Sequence, residues 1–153
     1  MSHAVVGSIF VVYLVGIFSS GWIGSLAGRA GRARMLLLML ALMLAGVGLT
    51  MLRPLAFVVF GIATVTFGFF AAHSVASAWV GLRATHAKAQ AAALYLFFYY
   101  MGSSVAGSAG GVFWARGAWP GVVGFVATML VAGLLIALPL RRGPATAPAI
   151  AHG

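Results

Sequence analysis

The sequence predicts an all-α, polytopic membrane helix bundle with five transmembrane helices. Of its 153 residues, 63% are hydrophobic and only 6% are charged, whereas about a quarter of the residues in a typical soluble domain are charged. The chain has nine Lys and Arg residues but no Asp or Glu. Charges, prolines and Gly-rich turns divide it into apolar segments close to the roughly 20 residues that a helix needs to cross a bilayer. A soluble globular domain is therefore excluded.

The predicted spans follow one another with short connections. Their approximate bounds are 4–27, 35–52, 54–81, 89–115 and 118–140. The first apolar run is too long for the core of a cleaved signal peptide, and no positive charge precedes it, so we interpret it as a span. Pro54 begins the third span, where a first-turn proline is tolerated. Residues 143–153 are rich in Pro and Ala and are predicted to form a disordered cytoplasmic tail.

The cations are unequally distributed between the two sides of the membrane when the loops alternate. One side carries only Arg53 and Arg116, and the other carries Arg29, Arg32, Arg34, Arg83, Lys88, Arg141 and Arg142. The positive-inside rule makes the more basic side cytoplasmic. We therefore expect the N-terminus outside and the C-terminus inside a bacterial inner membrane.

Polar side chains separate the spans into two kinds. The second and fifth spans each carry a single Thr and are otherwise apolar, whereas the first, third and fourth contain several Ser, Thr, Tyr, His or Gln residues. Such groups are costly against lipid and favour a bundle interior or a wet cavity. The pattern predicts three inner helices and two peripheral ones.

Small residues recur at helical spacing in the first and fourth spans. Gly16, Ser20, Gly24 and Gly28 are four residues apart, as are Ser103, Gly107 and Gly111. This small-xxx-small pattern lets neighbouring helices approach closely. Because glycine is common in membrane helices, the alternative is that these spacings are incidental.

The loop after the first span resembles a motif of the major facilitator superfamily. The segment GSLAGRAGRAR is similar to the G-x-L-a-D-R-x-G-R-R loop that joins the second helix to the third in that family and recurs in degraded form between the eighth and ninth. Its matching residues are Gly24, Gly28, Arg29, Gly31, Arg32 and Arg34. Gly28 stands where the family loop carries Asp, so the charge relay of that acid cannot form within this chain. The segments HSVASAWVGLRA, AQAAALYLFFYYMGSSVAGSAGGVFW and AWPGVVGFV are similar to the last spans of bacterial sugar- and drug-efflux members.

This resemblance implies that the five spans correspond to helices eight to twelve of a twelve-helix efflux transporter, the C-terminal part of the family fold. It implies movement of a small solute by alternating access, in which the first, third and fourth spans face the cavity. We expect a truncated or split product that needs the missing transporter half or a homo-oligomer. The alternative is a self-contained five-span structural or assembly protein without transport activity.

His73 is the readily titratable side chain deep in a span. Histidine can bind or relay a proton near neutral pH, and Thr66 and Ser77 share its helical face at spacings of seven and four. The three residues are candidates for the substrate path. The alternative is a neutral imidazole that is hydrogen-bonded to a neighbouring Ser or carbonyl group.

A polar aromatic stripe marks the fourth span. Tyr95, Tyr99 and Ser103 are spaced by four residues, and phenol groups offer hydrogen bonds and ring faces to a solute. Tyr99, Ser103 and, in the first span, Tyr13 are candidates for the substrate path, with a place in an interfacial aromatic belt as the alternative. We interpret Tyr95 and the tryptophans as members of the interfacial aromatic belts.

Other classes of function find little support in the sequence. The cations form no continuous basic face for nucleic acid, and no residues have the convergence expected of a catalytic, metal or cofactor site. The three loop arginines are interpreted as topology anchors, with an inherited gating role as the alternative. Because lipid phosphates attract arginine near a membrane surface, anionic headgroups are the expected partner.

Overall fold

The computed structural model describes the backbone of residues 3–142 and the side chains of residues 14–141. Its helices are α1 (His3–Ala30), α2 (Arg32–Leu49), α3 (Leu55–Arg83) and α4 (Lys88–Ala137), and a 3₁₀ turn (Leu138–Arg142) follows. The described residues contain no strand. The predicted all-α membrane bundle is therefore confirmed, while the predicted tail lies outside the described residues.

Within the part of the chain that the structure describes, three segments are long and apolar enough to cross a membrane. They are Arg32–Leu49, Leu55–Arg83 and Lys88–Arg141, and an 18-residue stretch of each has a mean hydropathy of 1.8, 2.2 and 2.5, respectively. Helix α1 has 28 residues, but the side chains of its first part are not among those described. The third segment is 54 residues long, which is more than twice the length of one crossing.

Helix α4 contains a reversal that divides it into two arms. Ala118 has non-helical backbone angles, φ 47° and ψ −142°. The rings of Phe113 and Phe125 stack with their centroids 4.6 Å apart, although twelve residues of continuous helix would separate them by about 18 Å. Residues 88–117 and 119–137, called here the first arm and the second arm, therefore form an antiparallel hairpin. A Cβ atom at Gly121 would collide with the Phe113 carbonyl oxygen, so this turn requires glycine.

Helices α2 and α3 cross closely at three glycines. A Cβ atom on Gly61 would lie 2.7 Å from the Gly46 carbonyl oxygen, and one on Gly46 would lie 3.0 Å from the Gly61 carbonyl oxygen. Farther along α3, a Cβ atom on Gly68 would lie 2.6 Å from Met43 Cγ. The missing side chains let the two backbones approach until carbonyl oxygens touch the opposite helix, which is how membrane helices gain packing energy.

Of the small residues predicted in α1, Gly16, Ser20 and Gly24 lie at its contact with α3, whereas Gly28 is exposed. A Cβ atom on Gly16 would be 2.7 Å from the Phe70 ring. One turn later, Ser74 Oγ donates a hydrogen bond of 3.1 Å to the Ser20 carbonyl oxygen. In contrast, a Cβ atom on Gly107 or Gly111 of the first arm would meet no other part of the described chain within 4 Å. A packing role for this second pair stays a prediction that needs a surface outside the described residues.

The expected division into inner and peripheral helices differs from the packing of this chain. Helix α2, expected to be peripheral, buries Met35, Leu37, Met39, Gly46 and Val47 on one side and exposes Leu38, Ala41 and Ala45 on the other. The first arm, expected to be inner, has no fully buried residue. Gly46 lets α2 pack closely on α3, a property that polarity does not measure, and the division into inner and peripheral helices stays a prediction.

Candidate functional site

A half-buried aromatic cluster joins α3 to the first arm. It consists of Phe69 and His73 from α3 and Tyr95 and Tyr99 from the first arm, and it is called here the His73 cluster. Tyr95 Oη and His73 Nδ1 are 2.9 Å apart, at hydrogen-bond distance. The centroid of the His73 ring lies 4.7 Å from that of Tyr99 and 6.2 Å from that of Phe69, with which it stacks at 14°. The imidazole is thus held between rings from two helices.

Helical spacing explains how the cluster forms. Phe69 and His73 are four residues apart, as are Tyr95 and Tyr99, and such pairs lie above one another on a helix face. The two pairs meet where α3 and the first arm cross. Depending on the tautomer, either the Tyr95 hydroxyl donates to Nδ1 or Nδ1–H donates to the hydroxyl. The hydrogen bond can therefore form with either neutral tautomer of the imidazole.

Tyr95 belongs to the candidate site, although the sequence pattern places it only in an interfacial belt. The structure adds its contact with His73. Its i, i+4 relation to Tyr99 was visible in the sequence. What was missing was the register of the first arm against α3, which only the packed helices reveal.

The other predicted path residues lie apart from the His73 cluster. Thr66 lines an apolar cavity of about 190 Å³ between α2, α3 and the second arm. Ser77 Oγ donates to the Ser74 carbonyl oxygen at 3.1 Å, which satisfies it within α3. Ser103 is exposed on the first arm, and the side chain of Tyr13 lies outside those described. Of the predicted path residues whose side chains are described, the structure thus brings together His73 and Tyr99.

The first arm has two opposite exposed faces of different chemistry. Leu94, Phe98, Met101 and Val105 are exposed at spacings of three and four residues, which gives an apolar face suited to lipid. The other face is polar and small, and it begins beside the His73 cluster. It presents Tyr99, Tyr100, Ser103, Ser104, Gly107 and Gly111, all exposed except Tyr99, which is half-buried.

Arginines converge at one end of the bundle. Arg29, Arg32 and Arg34 from the α1–α2 turn and Arg141 from the 3₁₀ turn line one cavity of about 400 Å³. Gly31 makes this tight turn with φ 92°, which side-chain-bearing residues rarely adopt. Of the other predicted loop glycines, a Cβ atom on Gly24 would lie 3.2 Å from Ser74 Oγ, whereas one on Gly28 would meet nothing within 4 Å. The loop motif therefore forms part of a cationic surface that the distant Arg141 completes.

Two cations lie at the opposite end. Arg53 follows the end of α2, and Arg116 precedes the α4 turn, where Trp119 Nε1 donates to the Thr50 carbonyl oxygen at 3.2 Å.

Helix α2 has 18 residues and so spans about 27 Å, close to the hydrocarbon thickness of a bilayer. His73 is ten residues from Arg83 and thus about 15 Å from the arginine end, near the middle of this thickness.

Together these features define a multi-pass helical membrane protein with cationic ends and a polar, partly exposed mid-depth site. Among the described residues, no group of three potential ligands could hold a metal ion. No protein-family model matches the chain, and no solved structure does.

Curated relatives supply the comparison with known proteins. The chain is 51% identical over 134 residues to the "uncharacterized MFS-type transporter YybF" of Bacillus subtilis (strain 168), covering 88% of this chain and 33% of that protein. It is 47% identical over 142 residues to the "inner membrane transport protein YnfM" of Escherichia coli (strain K12), covering 93% and 34%. An "uncharacterized transporter" of Buchnera aphidicola subsp. Schizaphis graminum is 38% identical with the same coverage.

The chain spans about one third of the length of these relatives. Their names support the resemblance to the major facilitator superfamily, whose abbreviation one of them carries, and support membrane transport in general. The efflux branch and the match to helices eight to twelve stay predictions.

Proposed function

We propose that this chain forms part of a major facilitator transporter and supplies one wall of the path of a small solute. The observation that carries the proposal is the polar face of the first arm, which begins at the His73 cluster and is exposed in a chain that is 63% hydrophobic. The transporter names of relatives that align with about nine tenths of the chain support it.

The physical argument rests on where polar groups are tolerated in a bilayer. Hydroxyl groups of a spanning helix favour a bundle interior or a water-filled cavity over lipid. The apolar face of the first arm can meet lipid, whereas its polar face needs water, solute or another protein surface. Tyr99 and the cluster behind it offer ring faces and hydrogen bonds to a bound solute.

Alternating access would require a second wall opposite this face. The relatives are about three times longer than the region they share with this chain. We propose that a region equivalent to their remaining length, or a second copy of this chain, supplies that wall. The proposed direction is efflux across a bacterial inner membrane, with the arginine end in the cytoplasm.

Single-cysteine labelling tests whether the polar face meets water. The chain has no Cys, so Ser103→Cys and Val105→Cys each introduce a single thiol. The two positions are about 3 Å apart in depth but lie about 200° apart around the helix. A membrane-impermeant thiosulfonate reagent added to intact membranes should modify Ser103→Cys and leave Val105→Cys unmodified.

The matched pair distinguishes a solute path from a general defect. Equal labelling at both positions would indicate a loosened bundle and contradict the proposal. Absence of labelling at both would indicate a dry protein contact and favour the assembly protein instead. If Ser103→Cys is labelled, treatment with the reagent should lower the solute flux through this variant in vesicles by about tenfold or more relative to the untreated variant. The same treatment should leave the flux through Val105→Cys unchanged.

A further inference from the structure

The arginine end contains two adjoining cavities of opposite chemistry. The first is cationic: Arg34 and Arg141 line both the cavity of about 400 Å³ and its continuation of about 650 Å³ beside Leu135, Leu138 and Pro139. The second is apolar, about 460 Å³ in volume, and lies between α3, the first turn of α4 and the 3₁₀ turn. Its lining residues are Leu36, Ala76, Trp79, Val80, Arg83, Ala84, Ala91 and Leu140.

The sequence offers the cationic cavity no carboxylate side chain as a counter-charge. No Asp or Glu exists anywhere in the sequence, so no carboxylate side chain of the chain can pair with these guanidinium groups. Guanidinium groups placed together repel each other, and the planar fork of each matches the oxygens of a phosphate group. The cavity is therefore complementary to an anion that comes from outside the chain.

The two cavities adjoin at Trp79. Trp79 borders both of them, and the consecutive residues Leu140 and Arg141 each line one. Arg83 lies 5.7 Å from the Trp79 ring centroid, where cation–π attraction holds it at the boundary. A ligand that fits both cavities has an anionic group joined to an apolar chain.

The position of the cavities identifies the ligand class. Arg32 is the first residue of α2, Arg83 is the last residue of α3, and Arg141 follows α4, so all three lie where spanning helices leave the hydrocarbon. Phospholipid headgroups occupy the same level of a bilayer. A free phosphate ion would fill only the cationic cavity and leave the apolar one empty.

We infer that this end of the bundle is a binding site for one anionic phospholipid. Its phosphate lies between Arg34 and Arg141, with Arg29 and Arg32 beside it, and one acyl chain enters the apolar cavity past Trp79. The lipid joins the α1–α2 turn to the 3₁₀ turn, two segments far apart in the sequence. This site is independent of the proposed solute path.

Native mass spectrometry of the whole chain tests the charged part of the site. The purified protein is titrated with phosphatidylglycerol or phosphatidylcholine, and lipid adducts are counted. The first phosphatidylglycerol molecule should bind with a lower dissociation constant than the first phosphatidylcholine molecule. Since each arginine near a lipid surface contributes about 1 kcal/mol, Arg34→Gln/Arg141→Gln should weaken it about 30-fold. The control Arg53→Gln/Arg116→Gln loses the same charge at the opposite end and should bind as the unaltered chain does.

A second pair of variants tests the apolar part. Ala91→Trp fills the apolar cavity, whereas the neighbouring Ala92 is exposed outside it. Ala91→Trp should weaken phosphatidylglycerol binding several-fold, and Ala92→Trp should leave it unchanged. Equal effects of these two variants would overturn the assignment of the acyl chain.

A further test compares two ligands on the unaltered chain, so that no substitution can disturb its folding. Inorganic phosphate at the same concentrations should raise the thermal transition in detergent much less than phosphatidylglycerol does. Equal stabilisation by phosphate would show an anion site without a lipid. Equal binding of phosphatidylcholine, or equal losses in the two arginine double variants, would show that the site lacks the proposed specificity.

Discussion

Gly61→Ala should destabilise the bundle by wedging α2 and α3 apart. The new Cβ atom would lie 2.7 Å from the Gly46 carbonyl oxygen and 2.8 Å from Thr50 Cγ2. An ordinary carbon–oxygen contact is about 3.3 Å, so the backbones must separate by about 0.6 Å. Overpacking of this kind typically costs about 1–3 kcal/mol, because a backbone oxygen cannot rotate away as a side chain can.

The control for this variant is Gly124→Ala, whose Cβ atom would meet nothing within 4 Å. Alanine is favoured over glycine in a helix by up to about 1 kcal/mol, and the comparison removes this shared contribution. Unfolding in SDS, followed by tryptophan fluorescence, should show Gly61→Ala less stable than Gly124→Ala by about 1–3 kcal/mol. Equal stability of the two variants would refute the close α2–α3 crossing.

A double variant shows which group obstructs the new methyl group. Thr50→Ser removes Cγ2 but keeps a hydroxyl that can donate to the Val47 carbonyl oxygen, as Thr50 does at 2.7 Å. Adding Thr50→Ser to Gly61→Ala should therefore recover part of the lost stability. The remaining loss arises from the Gly46 backbone, which no substitution removes. Complete recovery would mean that the two backbones are farther apart than the structure shows.

Three further substitutions test contacts made by the arms of α4. Tyr95→Phe removes the 2.9 Å hydrogen bond to His73 and should lower stability by about 0.5–1.5 kcal/mol in the same unfolding assay, whereas Tyr100→Phe, at an exposed position, should have little effect. In Gly121→Ala the new Cβ atom would collide with the Phe113 carbonyl oxygen and push the two arms apart. A pair of spin labels at the ends of the arms should therefore report a longer distance than in the unaltered chain, and an unchanged distance would contradict the hairpin. Trp119→Phe loses its hydrogen bond to the carbonyl oxygen that ends α2 and should cost about 1 kcal/mol, with equal stability arguing against that contact.

The membrane class and the local patterns were accessible from the sequence because they depend on composition and helical spacing. A 20-residue apolar run has few alternatives to a helix in a bilayer, so the all-α prediction needed no tertiary information. The i, i+4 pair of Tyr95 and Tyr99 was likewise visible. Its partner was not, because nothing in the spacing says that His73, 22 residues away from Tyr95, lies opposite.

The sequence by itself determined a helical chain that crosses a membrane, with cations between the apolar segments and none of the acids that could neutralise them. Tertiary structure alone decided which helix faces pack together, that the loop arginines line one cavity with Arg141, and that Tyr95 contacts His73. The physical reason is that insertion of a segment into a bilayer depends on the hydrophobicity of its side chains, which is a property of each residue type. Helix pairing depends instead on whether two surfaces fit together. In this chain the fit between α2 and α3 includes Gly46 and Gly61, which let the two backbones touch.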